Sequence, residues 1–363
     1  MESVRIKIEL LCWGVRGNQI ARQVYLRQNP SLHKRTGNAG IQLILPDGLI
    51  INAPFGHRFT EHSPYELTKK NSTYILCKNK IDICWCQPVV APKWYQETTS
   101  AGRSAYEVVT QEGNNTLITA INMRCEYFKM KQQCLFCAMT PSKTIIEKSP
   151  IEIAEVIALA IKENPSYTVD LTGGNTLSGD RGALSYIEIL GAIRKVSDIL
   201  ITVEVSPPVK DEHINMLLDA GANALLMNIE IGDDYLRGIF CPKKSEITKK
   251  RYFEAWEYAL RIVGRNRVGS ALVAGLESKE STLKIAKEMI DTGVIPKIVP
   301  FRHNDGARLE NFATANPDDV EFISQEVARL LYDKDLRPTE HCGCIGCTGC
   351  SAEIDYFNQL VHL

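Results

Sequence analysis

Between residues 117 and 330 the chain alternates apolar runs with amphipathic stretches six times over, and few folds accept that pattern. The runs are Leu117–Asn122, Tyr167–Thr172, Ile199–Val205, Ala224–Glu230, Val268–Ala274 and Val294–Pro300. The first helix is announced by Ser149-Pro150-Ile151-Glu152, a cap with Pro at the first position and an acid three residues after the cap. Ile153, Val156, Ile157 and Ala160 then share one face. Further helices are predicted through Tyr186–Ile193, around Ile214–Leu218 with a stop at Gly221, over 246–262, over 280–291 and from Pro317 through Leu330. Apolar strands separated by such helices predict a parallel sheet covered by helices. Right-handed crossovers curl six units toward a barrel that stops short of closure. The expected fold is α/β, a partial (β/α)6 TIM-type barrel over residues 115–335. An N-terminal α+β appendage precedes it at 1–114, and a Cys-rich C-terminal extension follows at 336–363.

The appendage has its own signals. Ile41–Asn52 reads as a hairpin around Pro46-Asp47-Gly48, and Thr73–Cys77 and Ile81–Trp85 as two further strands. Cys84 and Cys86 would then share one face of a strand, a structural role.

With 44% hydrophobic and 23% charged residues, the 363-residue chain has the composition of a globular protein. Its formal net charge of −1 gives no field that would draw nucleic acid or an anionic membrane. The densest basic stretch, Lys249-Lys250-Arg251 with Lys243-Lys244 before it, reads as a solvated helix face. No apolar run approaches the roughly 20 residues that cross a bilayer. The N-terminus lacks the layout of a signal peptide, so a cytoplasmic location is expected. Twelve cysteines are many for reducing cytosol, where clustered thiols point to metal binding or catalysis rather than disulfides.

Cys125, Cys134 and Cys137 follow the first strand in a C-x8-C-x2-C spacing. Three thiols leave zinc one ligand short of its usual structural set. They suit an iron–sulfur cluster with one iron left without a protein ligand. A zinc knob or buried free thiols are the alternatives. A second set, Cys342, Cys344, Cys347 and Cys350, is interleaved with glycines in a C-x-C-x2-C-x2-C spacing. So tight a segment must fold around one compact object, a cubane cluster or zinc, unless the thiols are free. Cys344, Cys347 and Cys350 supply three ligands, with Cys342, His341, Ser351 or a substrate as the fourth.

Polar and Gly-rich residues gather where the strands end. Gly173-Gly174-Asn175 follows the second strand, Glu204 closes the third, Asn228 and Glu230 end the fourth, and Gly275-Leu276-Glu277 follows the fifth. In barrels of this kind the C-terminal strand ends carry the active site. No G-x-G-x-x-G follows the first strand, which argues against a flavin or nicotinamide enzyme.

Over residues 115–335 these motifs resemble the radical S-adenosylmethionine (SAM) superfamily. Cys134-Leu135-Phe136-Cys137 matches the second half of that family's C-x3-C-x2-C motif, including the aromatic Phe136, while the first gap is eight residues instead of three. The resemblance implies a [4Fe–4S] cluster on Cys125, Cys134 and Cys137, with SAM on its open iron. Gly173, Gly174 and Asn175 resemble the Gly-Gly-Glu motif at the SAM amino group, with Asn for Glu. Asn228 and Glu230 resemble the residues at the ribose and methionine parts. Val273 would support adenine through its backbone, with Glu277 in the same segment and Glu204 at the rim. One electron from the reduced cluster would cleave SAM to methionine and a 5′-deoxyadenosyl radical, which takes hydrogen from an unactivated C–H bond.

The nearest resemblance is to biotin-synthase-like members. Phe240-Cys241-Pro242 and Ala271–Glu277 are similar to a less studied group found beside a nitrilase in some bacterial gene clusters. A second [4Fe–4S] cluster at the C-terminus would then donate sulfur, as in biotin or lipoyl synthases, hold the substrate or pass an electron. A small-molecule or carrier-bound substrate and reduced ferredoxin or flavodoxin as electron donor are implied. The competing expectation is an iron–sulfur electron carrier or zinc-binding scaffold, which would not need Gly173, Gly174, Asn228 and Glu230 at the rim.

Overall fold

The computed structural model describes residues 2–30, 40–113, 115–138, 147–341 and 343–362. Two helices, α1 (Glu2–Trp13) and α2 (Gln19–Gln28), precede a small antiparallel sheet. Its strands are β1 (Gly40–Ile44), β2 (Ile50–Pro54), β3 (Tyr65–Lys70), β4 (Thr73–Lys78) and β5 (Ile81–Pro88), in the order β2-β1-β5-β4-β3. The expected hairpin is β1–β2, registered from Gly40 opposite Pro54 to Ile44 opposite Ile50. Gly48 turns it at φ +84°, a conformation that costs glycine little. Cys84 and Cys86 both face this sheet's core, as alternation along β5 requires.

The α/β alternation becomes a second sheet. A one-turn α3 (Ala105–Val108) leads into β6 (Thr110–Glu112), which pairs antiparallel with β7 (Thr116–Ala120). Then follow α4 (Glu126–Lys129), α5 (Pro150–Glu163), β8 (Thr168–Thr172), α6 (Ile187–Arg194), β9 (Ile201–Glu204), α7 (Glu212–Asp219) and β10 (Ala224–Leu226). The series ends with α8 (Asp234–Phe240), α9 (Lys249–Val263), β11 (Val268–Ala274), α10 (Lys279–Thr292), β12 (Ile295–Pro300), α11 (Pro317–Asp333) and α12 (Glu353–Val361). The strands lie in the order β12-β11-β10-β9-β8-β7-β6. From β7 to β12 all neighbours are parallel, which gives a curled half-barrel. The seventh strand, β6, comes from the stretch read as appendage.

The helices sit where their apolar faces require. Ser149 caps α5, Pro150 follows it, and Ile153, Val156, Ile157 and Ala160 are buried against the sheet. One strand is shorter than its apolar run: β10 stops at Leu226, because at Asn228 the side chain takes over from the ladder. Asn228 Oδ1 accepts the Ala271 N–H at 2.9 Å. Among the described residues no helix is long and apolar enough to cross a membrane.

A sheet that curls without closing leaves an inner face and a flank to be filled. The C-terminal extension fills them. Gly343 N–H donates to Thr168 Oγ1 at 3.2 Å, and Thr116 Oγ1 donates to Gly343 O at 3.3 Å. Ile345 packs on Gly269 of β11, where an added Cβ would fall 2.0 Å from Ile345 Cδ1. Beyond it, Cys347 lies against Gly113 and Gly349 O accepts the Asn52 N–H of β2 at 2.7 Å. The segment therefore runs through the barrel and out to the small sheet. The N-terminal helix latches it there: fully buried Lys7 Nζ donates to Thr348 O and to Asp355, each at 2.6 Å.

Truncating one member of such a pair leaves a buried charge behind. Lys7→Met is expected to lower stability by about 3 kcal/mol, and Lys7→Met/Asp355→Leu by clearly less. Denaturant midpoints of the two variants check this, and equal losses would refute it.

Candidate active site

The first thiol loop is folded by backbone hydrogen bonds more than by its own side chains. Asn122 Oδ1, just past β7, accepts from Arg124 N–H at 3.2 Å and Gly174 N–H at 3.3 Å. Cys125 precedes α4, whose Glu126 N–H donates to Asn175 O at 2.9 Å. The loop returns through Lys131 at φ +57°. It is then clamped to the end of α8 by Leu135 N–H to Phe240 O at 2.8 Å and Lys243 N–H to Gln132 O at 3.2 Å. Cys125, Cys134, Phe136 and Cys137 thus line one cleft at the C-terminal strand ends.

The rim residues meet them there. Gly173, Gly174 and Asn175 line the same cleft, as do Glu204, Asn228 and Glu230. Gly174 is required for a reason of its own, since a Cβ there would stand 2.4 Å from Arg124 O. Glu230 is held at φ +70°, a costly conformation for a residue with a Cβ. Its N–H donates to Ala271 O at 3.1 Å and its carbonyl accepts from Val273 N–H at 2.8 Å. That twist sends its carboxylate to Lys244 Nζ, 2.7 Å away.

Val273 and Glu277 do not line the cleft. The Glu277 carboxylate is engaged by Gly232 N–H at 3.0 Å, Asp233 N–H at 2.9 Å, Ser281 Oγ at 2.7 Å and Thr282 Oγ1 at 3.2 Å. It ties the β10–α8 loop to the start of α10.

Several cleft residues escaped the sequence reading. Lys244 is the clearest correction, because the stretch read as a solvated face puts this side chain inside, 7% exposed. Burial alone would lower its pKa, but Glu230 facing it raises the value well above the ordinary range. The Phe240-Cys241-Pro242 turn just before it was the available signal. Cys241, also buried, hydrogen-bonds Cys134 and so holds the Cys134 thiol below its usual pKa. Arg181 and Tyr186 line the cleft as well, and Tyr186 OH donates to Glu204 O at 2.7 Å. Three convergent thiols with a nearby donor and a buried cation fit an anionic iron–sulfur cluster.

The second thiol set lies deeper in the barrel. Cys342 lies outside the described residues. Cys344 touches Lys297 of β12, whose Nζ is 2.9 Å from its Sγ and also donates to its carbonyl. Burial would lower the Lys297 pKa, yet Cys344, Cys350 and Cys347 raise it well above the ordinary range. A hydrogen bond from Cys344, with Lys297 and Arg302 nearby, holds Cys350 well below the usual thiol value. Both terminal nitrogens of buried Arg302 lack a hydrogen-bond partner among the described residues. Carboxylate oxygens of Asp170 and Glu204 and the sulfur of Cys344 lie within 4.8 Å of one another. Three thiols, buried cations and unpartnered polar atoms are what a metal or cluster would complete. Asp170 and Lys297 were visible as charged residues inside apolar strand runs.

Because Gly174 packs on backbone, Gly174→Ala is expected to displace the first thiol loop at a cost of about 1–3 kcal/mol. Thermal unfolding and iron bound after anaerobic reconstitution check it, and unchanged iron would refute it.

The model of the Radical SAM superfamily matches residues 130–289, which includes Cys134 and Cys137 and begins just after Cys125. No curated protein matches the sequence. Among solved structures, methylornithine synthase (PylB) is 18% identical with a TM-score of 0.51, over 68% of this chain and 70% of that one. HydG, a maturase of the [FeFe]-hydrogenase, is 14% identical with a TM-score of 0.48, over 62% and 52%. A radical SAM methyltransferase from Sphaerobacter thermophilus is 12% identical with a TM-score of 0.47, over 74% and 76%. The likeness to methylornithine synthase is one of fold, the half-barrel described above. Residues 130–289 are thus similar to the Radical SAM superfamily model, and the half-barrel that holds them is the fold shared with methylornithine synthase.

Proposed function

We propose that the protein is a two-cluster radical SAM enzyme that inserts sulfur into an unactivated C–H position, in the manner of biotin or lipoyl synthases. The observation that carries the reading is the position of Glu204. It lines the first cleft, and its carboxylate lies within 4.8 Å of the Cys344 sulfur. A second cluster on Cys344, Cys347 and Cys350 would therefore border the space in which a substrate radical forms. An electron relay would have no need to face that space.

Cys125, Cys134 and Cys137 hold the first [4Fe–4S] cluster, which when bound supplies the electron that cleaves SAM to methionine and a 5′-deoxyadenosyl radical. The chain's own residues position and shield. Gly173 and Gly174 present backbone, with Asn175, to the amino end of SAM. Asn228 and Glu230 face its ribose and methionine parts, the latter steadied by Lys244. Val273, expected at adenine, acts instead from behind the cleft through its N–H to the Glu230 carbonyl, and Glu277 fixes the loop after β10. The substrate is a small or carrier-bound molecule, the electron donor reduced ferredoxin or flavodoxin, and the site of action the cytoplasm. The branch expected is the biotin-synthase-like one, and the similarity of Phe240-Cys241-Pro242 to the group found beside a nitrilase gains interest from the Cys241–Cys134 hydrogen bond.

The test is anaerobic reconstitution with iron and sulfide, followed by dithionite reduction and chromatography for 5′-deoxyadenosine. Two cubanes require about eight iron atoms per chain. Cys134→Ala is expected to abolish 5′-deoxyadenosine and release about half of the iron. Cys347→Ala is expected to release a similar share while uncoupled SAM cleavage persists. A fully loaded protein that leaves SAM intact would reject the enzyme reading, and a Cys347→Ala variant that empties the first site would reject two independent clusters.

A further inference from the structure

We infer that Asp170 supplies the oxygen ligand to the metal group held by Cys344, Cys347 and Cys350. The inference rests on reading that loop as a second metal centre and names the residue that completes it.

Asp170 stands in the middle of β8, between Val169 and Leu171, and is fully buried. Alternation along the strand puts it on the face of Thr168 and Thr172, toward the C-terminal segment, while its two neighbours face the helices. A carboxylate in such a place is costly unless it is paired or coordinates a metal. Among the described residues it forms no ion pair, and Oδ1 has no hydrogen-bond partner. Lys297, the nearest candidate, is spent on the carbonyl and sulfur of Cys344. Among the described residues the hydrogen-bond donor to Asp170 is the Cys344 N–H, which reaches Oδ2. That bond fixes the carboxylate to the thiol loop itself and leaves the other oxygen unpartnered.

The spacing puts the carboxylate beside the thiol set. One Asp170 oxygen and the Cys344 sulfur are within 4.8 Å of each other. Metal–oxygen bonds of about 2.0–2.2 Å and metal–sulfur bonds of about 2.3 Å place the oxygen close enough to hold the corner of a cubane beside the one on Cys344, or a single zinc once the two atoms close to about 4.5 Å. Of the other sources for a fourth ligand, Ser351 follows Cys350 at the far end of the loop. Asp170 instead contacts its beginning, on the side of Glu204 and the cleft. An oxygen ligand there has a consequence: carboxylate is a harder and weaker partner for iron than thiolate. The iron it holds is then the exchangeable corner, nearest the cleft, where a substrate with a sulfur, nitrogen or oxygen donor can displace it.

The experiment uses the full chain carrying Cys134→Ala, so that only the second site retains iron. Asp170→Asn keeps the side-chain volume and the acceptor for the Cys344 N–H but removes the anionic ligand. Asp170→Cys offers a thiolate in its place. After anaerobic reconstitution, iron and sulfide are counted, and Mössbauer and electron paramagnetic resonance spectra are recorded. The expected result is that Asp170→Asn loses about one iron in four and shows a three-iron signal. Asp170→Cys is expected to restore the four-iron count with an altered spectrum.

An Asp170→Asn spectrum and iron content equal to those of the parent would overturn the assignment. So would loss of metal in both variants with unchanged thermal unfolding, since Asp170 would then shape the site without binding in it. Should the site take zinc, X-ray absorption showing three sulfurs and one oxygen supports the inference, and four sulfurs overturn it. Cys347→Ala on the same background separates the two layers. If it retains as much metal as the parent, the second centre itself is wrong, whereas metal lost there and kept unchanged in Asp170→Asn rejects Asp170 alone.

Discussion

A half-barrel of parallel strands leaves polar chemistry in its interior only if that interior is electrically balanced, and here the balance is struck around Lys297. Its ammonium is buried in the centre of β12, against Cys344 and near Cys347 and Cys350. Such a cation is stable inside only beside anions. The thiols answer it from a segment more than forty residues further on in the chain. Arg302 adds a second buried cation toward Cys350. The reverse dependence holds as well: burial disfavours the charged forms of Asp170, Glu204, Cys344 and Cys347 in this lumen, and Lys297 is what favours them. The C-terminal loop is therefore part of the barrel's interior and not an appendage to it.

The same logic explains the irregular strand. A regular β10 running to Glu230 would alternate Asn228 and Glu230 in step with its neighbours. Instead, Asn228 lends its side chain to the ladder and Glu230 adopts a left-handed backbone. Both departures cost stability, of order 1–2 kcal/mol for the non-glycine residue in the left-handed region. They are repaid by aiming Glu230 at Lys244 beside the first thiol loop. Strain of this kind is kept where surrounding structure fixes it, and here Tyr252 OH to Asn228 O at 3.1 Å and the Val273 N–H do so.

Much of this was legible from the chain alone, for an identifiable reason. Strand and helix periodicities are local, so β7 to β12 and their helices could be read from patterns of a few residues, and crossover handedness pointed to an unclosed barrel. The rim residues were found because a parallel barrel puts all its C-terminal strand ends together. What remained hidden depends on three-dimensional pairing. Lys244 looked solvated because its partner Glu230 lies fourteen residues away across a turn. Asp170 and Lys297 carry no local signal of their role, because the Cys344 that touches both lies far from them in sequence. The end of β10 was misread because a side-chain acceptor that replaces a backbone one leaves no periodic trace. The role of Gly174 is similar: its need for space comes from Arg124 O, a contact that no motif records.

Glu204 is the point at which the two thiol sites become one problem. Its backbone carbonyl is held by Tyr186, its side chain is hydrogen-bonded by Thr172 at 3.1 Å, and it borders both the cleft and the Cys344 sulfur. Burial raises its pKa and Glu230 adds to that, while the Thr172 hydrogen bond, Lys297 and Lys244 pull the other way. A carboxylate between two cation-balanced thiol sites responds to the charge of either one. At low effective dielectric, a unit of charge at one site is felt at a group a few ångströms away far more strongly than in water. A change of charge at Cys344 would therefore alter the field at Glu204, on the wall of the first cleft. The barrel supplies that coupling by geometry alone, since the six parallel strands that collect the rim residues also set the distance from rim to floor.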